Sequence, residues 1–266
     1  MPGNNKHGFV NMPDNHGGDD QNQLRINKYL AQCGLGSRRK CDELVMSGHI
    51  MVNGQKVTEL GVKVDPRADR VEYKGRQLRP IRKLEYYAYC KPREVMVTNN
   101  DPEGRLTIYE ALRRDGLDAG LLKYVGRLDY LSEGLLLLTN DGGLIHALTH
   151  PRFAIKKVYR VRVGRPLDQG DSKKLLDGVE SEGQLLRAVS VDAVDVKDDQ
   201  FWYEIGLMEG KNRQIRRMLE GVGHEVRRLR RVAFGSVKLG DMRAGEYREL
   251  TAREIGGLKN AGFKQR

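Results

Sequence analysis

The chain has 266 residues, enough for one large domain or two smaller ones. Hydrophobic residues make up 39% and charged residues 31%, and 47 Lys and Arg against 36 Asp and Glu leave a formal net charge of +11, which points to a polyanionic partner, nucleic acid first and an anionic membrane surface second. No apolar run reaches the roughly 18 residues of a membrane span, the opening "MPGNNKHGFVNMPDNHGGDD" lacks the apolar stretch of a secretory signal, and three cysteines without metal-like spacing read as reduced core thiols of a cytoplasmic protein.

Residues 1–23, rich in Asn, Gly and Asp, predict a disordered tail. In "LRINKYLAQCG", Ile26, Tyr29, Leu30 and Cys33 follow helical spacing and Gly34 stops the helix. Ser37 can N-cap a second helix, "RRKCDELVMSG". "HIMVNGQKV" reads as a hairpin, because Asn53-Gly54 suits a type I′ turn. With the short strands of "VKVDPRADRVEYKGRQL" this makes a small α+β unit, expected over 24–80, and "LRPIRKLE" reads as its linker.

A second unit is expected over 85–262. Strands are predicted at "YYAYC", "EVMVT", "YVGRL", "GLLLLT", "KKVYRVRV", "LRAVSVDAV", "FWYEIGLM" and "VRRLRRVAF". Helices are predicted at "TIYEALRRDG", "GGLIHALTH", "DSKKLLDGV", "RQIRRMLEGVG" and "AREIGGLKNAG", the last opened by a Thr251–Glu254 capping box. Strands outnumber helices and most alternate, so the class is α+β with a mainly antiparallel or mixed sheet.

Basic charge clusters twice. In "EGKNRQIRRMLEGVGHEVRRLRR", Arg213, Arg216 and Arg217 fall at i, i+3 and i+4 of a helix and share a face. The following strand adds arginines, Arg228 and Arg230 on one side and Arg227 and Arg231 beside apolar neighbours. Arginine forks match phosphate geometry. The N-terminal unit carries Arg25, Lys28, Arg38, Arg39 and Lys40 around two helix starts. Two basic units on one chain suggest an extended RNA or DNA footprint. Neither shows a helix-turn-helix or dimer pattern of a DNA reader.

In "KYVGRLDYLSEGLLLLTNDGGL" an Arg and an Asp stand at the mouth of four leucines. A charged pair beside a buried strand costs free energy unless each member has a partner. Asp129 pairing with Arg127 or capping a turn is the ordinary reading of such a residue. For catalysis it is the candidate carboxylate, since no G-x-S-x-G, phosphate-cradling loop or H-E-x-x-H occurs. A carboxylate among cations stays ionised and can act as nucleophile or base, with neither metal nor cofactor.

"GRLDYLSEGLLLLTNDG", "KKVYRVRV", "EGKNRQIRRML", "NDPEGRLTIYEAL" and "THPRF" resemble motifs of the RsuA-like family of rRNA pseudouridine synthases. "LRINKYLAQCGLGSRRKCDELVMSGHIMVNGQKV" resembles the small RNA-binding module, named after a ribosomal small-subunit protein, that this family carries at its N-terminus. The chain departs from the family pattern at Leu131, where a polar residue is usual, and at Glu94, near a usual Gly.

The resemblance implies isomerisation of a uridine in ribosomal RNA, or in a ribosomal-subunit assembly intermediate, to its C-glycoside after flipping into a pocket. It implies no cofactor, no membrane and a monomeric cytoplasmic protein. Asp129 would be the catalytic carboxylate, attacking the sugar or abstracting a sugar proton. Arg216 would pair with it, and Tyr159 would stack on the uracil and take part in proton transfer. Leu207 would wall the apolar side, and Arg127 would fill the gap left by the flipped base. Lys211, Asn212 and Arg213 would bind substrate. Two alternatives stay open: a non-catalytic rRNA-binding assembly factor, and a synthase acting on tRNA. "NDPEGR" leans toward large-subunit rRNA.

Overall fold

The computed structural model describes residues 23–81, 83–194 and 200–263. The tail expected at 1–23 lies, but for Gln23, outside the described residues. The chain divides into two compact units, 1–82 and 83–266.

In the first unit, β1 (Leu24–Arg25) leads into α1 (Ile26–Gln32), then α2 (Arg38–Met46), β2 (Ile50–Val52), β3 (Gln55–Val57), β4 (Lys63–Val64), β5 (Val71–Tyr73) and β6 (Arg76–Gln77). Gly34 follows the end of α1 at φ 86°, and the Lys40 N–H donates to Ser37 Oγ at 3.2 Å, as local signals predict. Val52 and Gln55 pair across Asn53 and Gly54, both at positive φ, which is the expected two-residue hairpin turn. Ile26, Tyr29, Leu30, Cys41, Val45, Ile50, Val64 and Val71 form its separate core. Cys41 and Cys90 are buried, but Cys33 is only half-buried, so it is not the core thiol expected.

The second unit runs β7 (Tyr86–Lys91), α3 (Ile108–Arg114), β8 (Lys123–Tyr124), β9 (Glu133–Thr139), α4 (Gly142–Thr149), β10 (Lys157–Val163), α5 (Gln169–Asp177), β11 (Val179–Ser181), β12 (Gln184–Leu186), β13 (Ser190–Ala193), β14 (Phe201–Leu207), α6 (Gln214–Gly221), β15 (Val226–Phe234), β16 (Val237–Lys238), β17 (Tyr247–Glu249) and α7 (Ala252–Phe263). Among the described residues a nine-stranded sheet has the order β13-β14-β10-β15-β9-β7-β17, with β16 beside β15 and β8 beside β9. Neighbours are antiparallel except β15 and β9, so the sheet is mixed, as expected.

The leucine run sits mid-sheet. Leu136 and Leu138 enter the core under α3, α5 and α6, while Leu135 and Leu137 enter the one under α4 and α7. Burial on both faces removes the need for alternation, and each leucine contributes roughly 1.5–3 kcal/mol.

Three strand expectations are corrected. "EVMVT" is not a strand; only Met96 bridges Thr107. "YVGRL" contributes only Tyr124, the end of β8, because Gly126 turns to φ 70° once the Val125 N–H has bonded Leu137 O. Residues 125–132 are therefore a loop, and Arg127 and Asp129 do not alternate on a strand. "LRAVSVDAV" is split. Leu186 ends a hairpin turned at Glu182-Gly183, both at positive φ, which the sequence reading missed, and the Ala188 N–H bonds Leu175 O before β13 starts.

Candidate active site

The loop 125–132 is tied down through its carbonyls. Asp129 O accepts from the Ser132 N–H at 3.0 Å, and Tyr130 O from the Glu94 N–H at 2.7 Å. Ser132 O accepts from Lys91 Nζ at 2.8 Å. Glu94 holds φ 59°, where glycine meets no penalty, so the departure at this position has a visible backbone correlate. Arg105, bonded to Asp101 at 2.8 and 3.0 Å, lies 5.7 Å from the Tyr130 ring. The "NDPEGR" segment thereby buttresses the loop. Leu131 is exposed at the turn.

Lys91 is the residue that sequence reasoning missed. It ends β7, is fully buried, and also donates to Pro92 O at 2.7 Å. Burial pushes its ammonium down to about 8, against the opposing pull of Asp129 and Glu133; Arg231 pushes the same way as burial. A lysine closing an otherwise apolar strand was the available signal. Glu133 is itself paired with Arg228 at 2.7 Å.

Asp129 is half-buried and lines a cavity of about 410 Å³ together with Arg127, Tyr159 and Leu207. Lys211, Asn212 and Arg213 line the same cavity. Tyr159 and Leu207 share one face of the sheet, since Leu207 lies opposite Lys157 and Tyr159 opposite Ile205. Both are buried. Arg127 is exposed at the cavity mouth. Arg213 sits at φ 48° before α6 and only grazes Glu220 at 3.9 Å. Gln214 closes the 209–214 loop, accepting from the Lys211 N–H and donating to Glu209 at 2.7 Å.

Arg216 lies behind this wall. It is buried in α6, donates to Val226 O at 3.3 Å and leaves Nε without a partner. Burial lowers its pKa most; Arg213 adds to that, and Asp129 opposes it. Among the described residues Asp129 and Arg216 make no direct ion pair, so the carboxylate acts on the guanidinium at a distance.

The expected basic helix face does not exist as one surface. Arg213 precedes α6, and Gln214 to Leu219 are all buried. Arg217 bonds Ser181, Gln184 and Asn212 and pins the β11–β12 hairpin. The arginines of β15 divide between the two faces of the sheet. Arg231 lies opposite Tyr159 and is buried with Nη2 unpartnered, whereas Arg228 and Arg230 point the other way.

A recess of about 260 Å³ adjoins the cavity, sharing Arg127, Tyr159 and Lys211 and adding Lys157 and Arg231. Burial brings Lys157 down to about 8. In the first unit Arg25, Lys28, Arg38, Arg39 and Lys40 are all exposed, with Arg38 on Asn27 at 3.1 Å and Lys40 on Glu43 at 2.9 Å.

Chemically, a carboxylate faces a cavity walled by a tyrosine ring and a leucine and rimmed by cations. Such a pocket can hold a planar ring and present the carboxylate to an attached group while the cations take anionic neighbours.

Residues 85–221 match the family described as RNA pseudouridylate synthase, and residues 24–71 match the S4 domain. A protein of Aquifex aeolicus named an uncharacterized RNA pseudouridine synthase is 38% identical over 244 residues, 91% of this chain and 96% of that one. The ribosomal large subunit pseudouridine synthase B of Bacillus subtilis is 36% identical over 237 residues, 88% of this chain and 95% of that one. A crystal structure of a pseudouridylate synthase superposes with a TM-score of 0.62 at 29% identity, covering 88% of this chain and 99% of the other. Motifs, fold and relatives agree: the chain is an S4-bearing member of the RNA pseudouridine synthase family, of the RsuA-like kind.

Proposed function

We propose that this enzyme isomerises a specific uridine of large-subunit ribosomal RNA to pseudouridine, with Asp129 as the catalytic carboxylate. One observation carries the reading: Asp129, Tyr159 and Leu207 share one cavity with Arg127, Lys211, Asn212 and Arg213. The flipped uracil lies against Tyr159 and Leu207. Asp129 works at the sugar, as nucleophile at the anomeric carbon or as base on a sugar proton. The bond from ring nitrogen to sugar breaks, the base turns, and a ring carbon bonds the anomeric carbon; the ring carbon loses its proton, the freed ring nitrogen gains one, and Tyr159 takes part in the transfer. Arg216 tempers the carboxylate from behind the wall, and Arg127 fills the place the base has left. The large-subunit assignment is supported by the "NDPEGR" segment and by the name of the Bacillus subtilis relative. The protein acts as a cytoplasmic monomer, its first unit gripping rRNA through Arg25, Lys28, Arg38, Arg39 and Lys40.

The test is a pseudouridine map of all rRNA and tRNA from cells with and without this gene, followed by treatment of the unmodified RNA with purified protein. One large-subunit position should disappear and be restored. A lost position in tRNA would move the substrate. Unchanged maps would leave a non-catalytic binder.

A further inference from the structure

The sheet has a second charged face. On β10, β14 and β15, Tyr159, Val161, Tyr203, Ile205 and Leu229 point into the core beneath α6. Val158, Arg160, Arg162, Trp202, Glu204, Arg228, Arg230 and Val232 take the alternate positions on the opposite side. Val158, Trp202 and Val232 join neither core of this unit.

The register makes the charge arrangement unusual. Arg160 lies directly opposite Arg230, and Arg162 directly opposite Arg228. Two like-charged pairs thus stand side by side, with directly opposed Cβ atoms about 5 Å apart, which is destabilising on a sheet. Internal compensation is partial. Glu204 pairs with Arg160 at 3.0 Å and Glu133 with Arg228 at 2.7 Å. Arg230 donates only to neutral acceptors, chiefly Met242 O at 2.7 Å, and Arg162 to Gln200 at 3.3 Å. The side chains of Arg160 and Arg228 remain 46% and 47% exposed.

Over this block runs a groove of about 710 Å³, lined by Arg160, Arg228, Arg230, Lys238 and Trp202, with Glu204 and Asp241 as its acids. A neighbouring recess of about 380 Å³ shares the arginines and adds Arg243. Trp202 lies beside Arg162 across the strands, half-buried.

We propose that this face is a second RNA-binding surface, taking a single-stranded stretch of the RNA substrate away from the nucleotide in the catalytic cavity. An exposed sheet bearing an aromatic side chain is a known geometry for stacking unpaired bases. Guanidinium forks match phosphate oxygens, which supply the missing counter-charge. An acidic peptide would satisfy the charges but leave the indole without a stacking partner. The assignment rests on the reading of RNA as substrate, and it explains why one strand sends arginines to both sides of a sheet.

Trp202 is the only tryptophan of the chain, so its emission reports on this face alone. The probe is a 12-nucleotide oligoadenylate, which contains no uridine for the catalytic cavity. It should quench Trp202 in the full-length protein. Arg160→Gln with Arg162→Gln should weaken that binding at least tenfold. The plot of log affinity against log salt should become shallower by about 1.4, for two phosphates of a single strand. Glu204→Gln, which removes a competing carboxylate, should tighten binding several-fold, and this opposite sign does not depend on the double variant folding well. Single-turnover pseudouridine formation at saturating enzyme should be unchanged in all variants, so an inactive wild type would fail the catalytic reading, not this one. Absent quenching, equal affinity in wild type and double variant, or equal quenching by a 12-residue polyglutamate would overturn the proposal.

Discussion

Asp129 meets the cavity from a loop that is bonded through three of its backbone carbonyls, so replacing the carboxylate by its amide changes the reacting group and little else. Asp129→Asn should abolish isomerisation under single-turnover conditions while RNA affinity stays within about tenfold, or ~1.4 kcal/mol; measurable turnover by the variant would remove Asp129 from its role. Arg216 and Arg213 separate by burial. Arg216→Ala takes out of an enclosed place a cation that Asp129 feels at a distance. The chemical rate should fall well below that of the Arg213 variant. Arg213→Ala removes one exposed cation and should mainly weaken binding and flatten its salt dependence; equal losses of rate in the two variants would sink the distinction. Lys91 gives a pH signature. Its folded pKa of about 8 lies below the ordinary 10.5, so between those values the unfolded chain holds more protons and the free energy of unfolding rises with pH. Lys91→Met should show a smaller rise over that window than wild type in urea melts. That lysine's place at the end of an apolar strand was the one local sign of it, whereas Ser132 O and the Asp129 and Glu133 carboxylates that surround it lie about forty residues away in sequence. Asp129 was legible because a charge beside four leucines demands a reason.

At the scale of elements, local signals survived and long-range ones did not. The Thr251–Glu254 box forms, with the Thr251 N–H meeting Glu254 Oε2 at 2.9 Å and the Glu254 N–H meeting Thr251 Oγ1 at 3.2 Å, and the Asn53-Gly54 hairpin closes as its residues dictate. The end of β8, by contrast, is decided by a tertiary ladder and by Gly126. Along β15 plain alternation sorts the arginines as expected, Arg228 and Arg230 on one face and Arg231 on the other, even with register shifts beside Tyr159 and Val163. The α6 motif misled: three arginines at helical spacing look like a solvent face, yet Arg217 is consumed by a hairpin that carries its own turn. The joint between β9 and β15 yields a prediction. Gly134 has φ 97°, and a Cβ there would come within 2.4 Å of Arg231 O. Gly134→Ala should destabilise by about 2–4 kcal/mol through overpacking and backbone strain and should slow catalysis, since the Asp129 loop ends just before it. Urea denaturation measures the first effect; an unchanged midpoint would mean that β15 yields freely.

The two units have separate cores, and all proposed catalytic residues lie in the second. Deleting residues 1–80 should therefore weaken rRNA binding and reduce its salt slope by about one for each phosphate the S4 module would otherwise neutralise, while chemistry on bound RNA continues at saturating enzyme. A salt titration of the truncated protein checks this, and an unaltered slope would mean that the S4 module does not touch the backbone. Sheet order has another consequence. β15 is inserted between β10 and β9, and β17 closes the far edge on β7. As the polypeptide is synthesised, β9 leaves the ribosome roughly a hundred residues before β15, a delay of about 5–20 s at ordinary elongation rates. During that interval the S4 module is complete and can fold, but the leucine strand has an unpaired edge and Glu133, at the end of the Asp129 loop, lacks its arginine partner. The nascent chain thus gains its hold on RNA before it gains any chemistry, and its most apolar strand is the segment that most needs a chaperone while it waits.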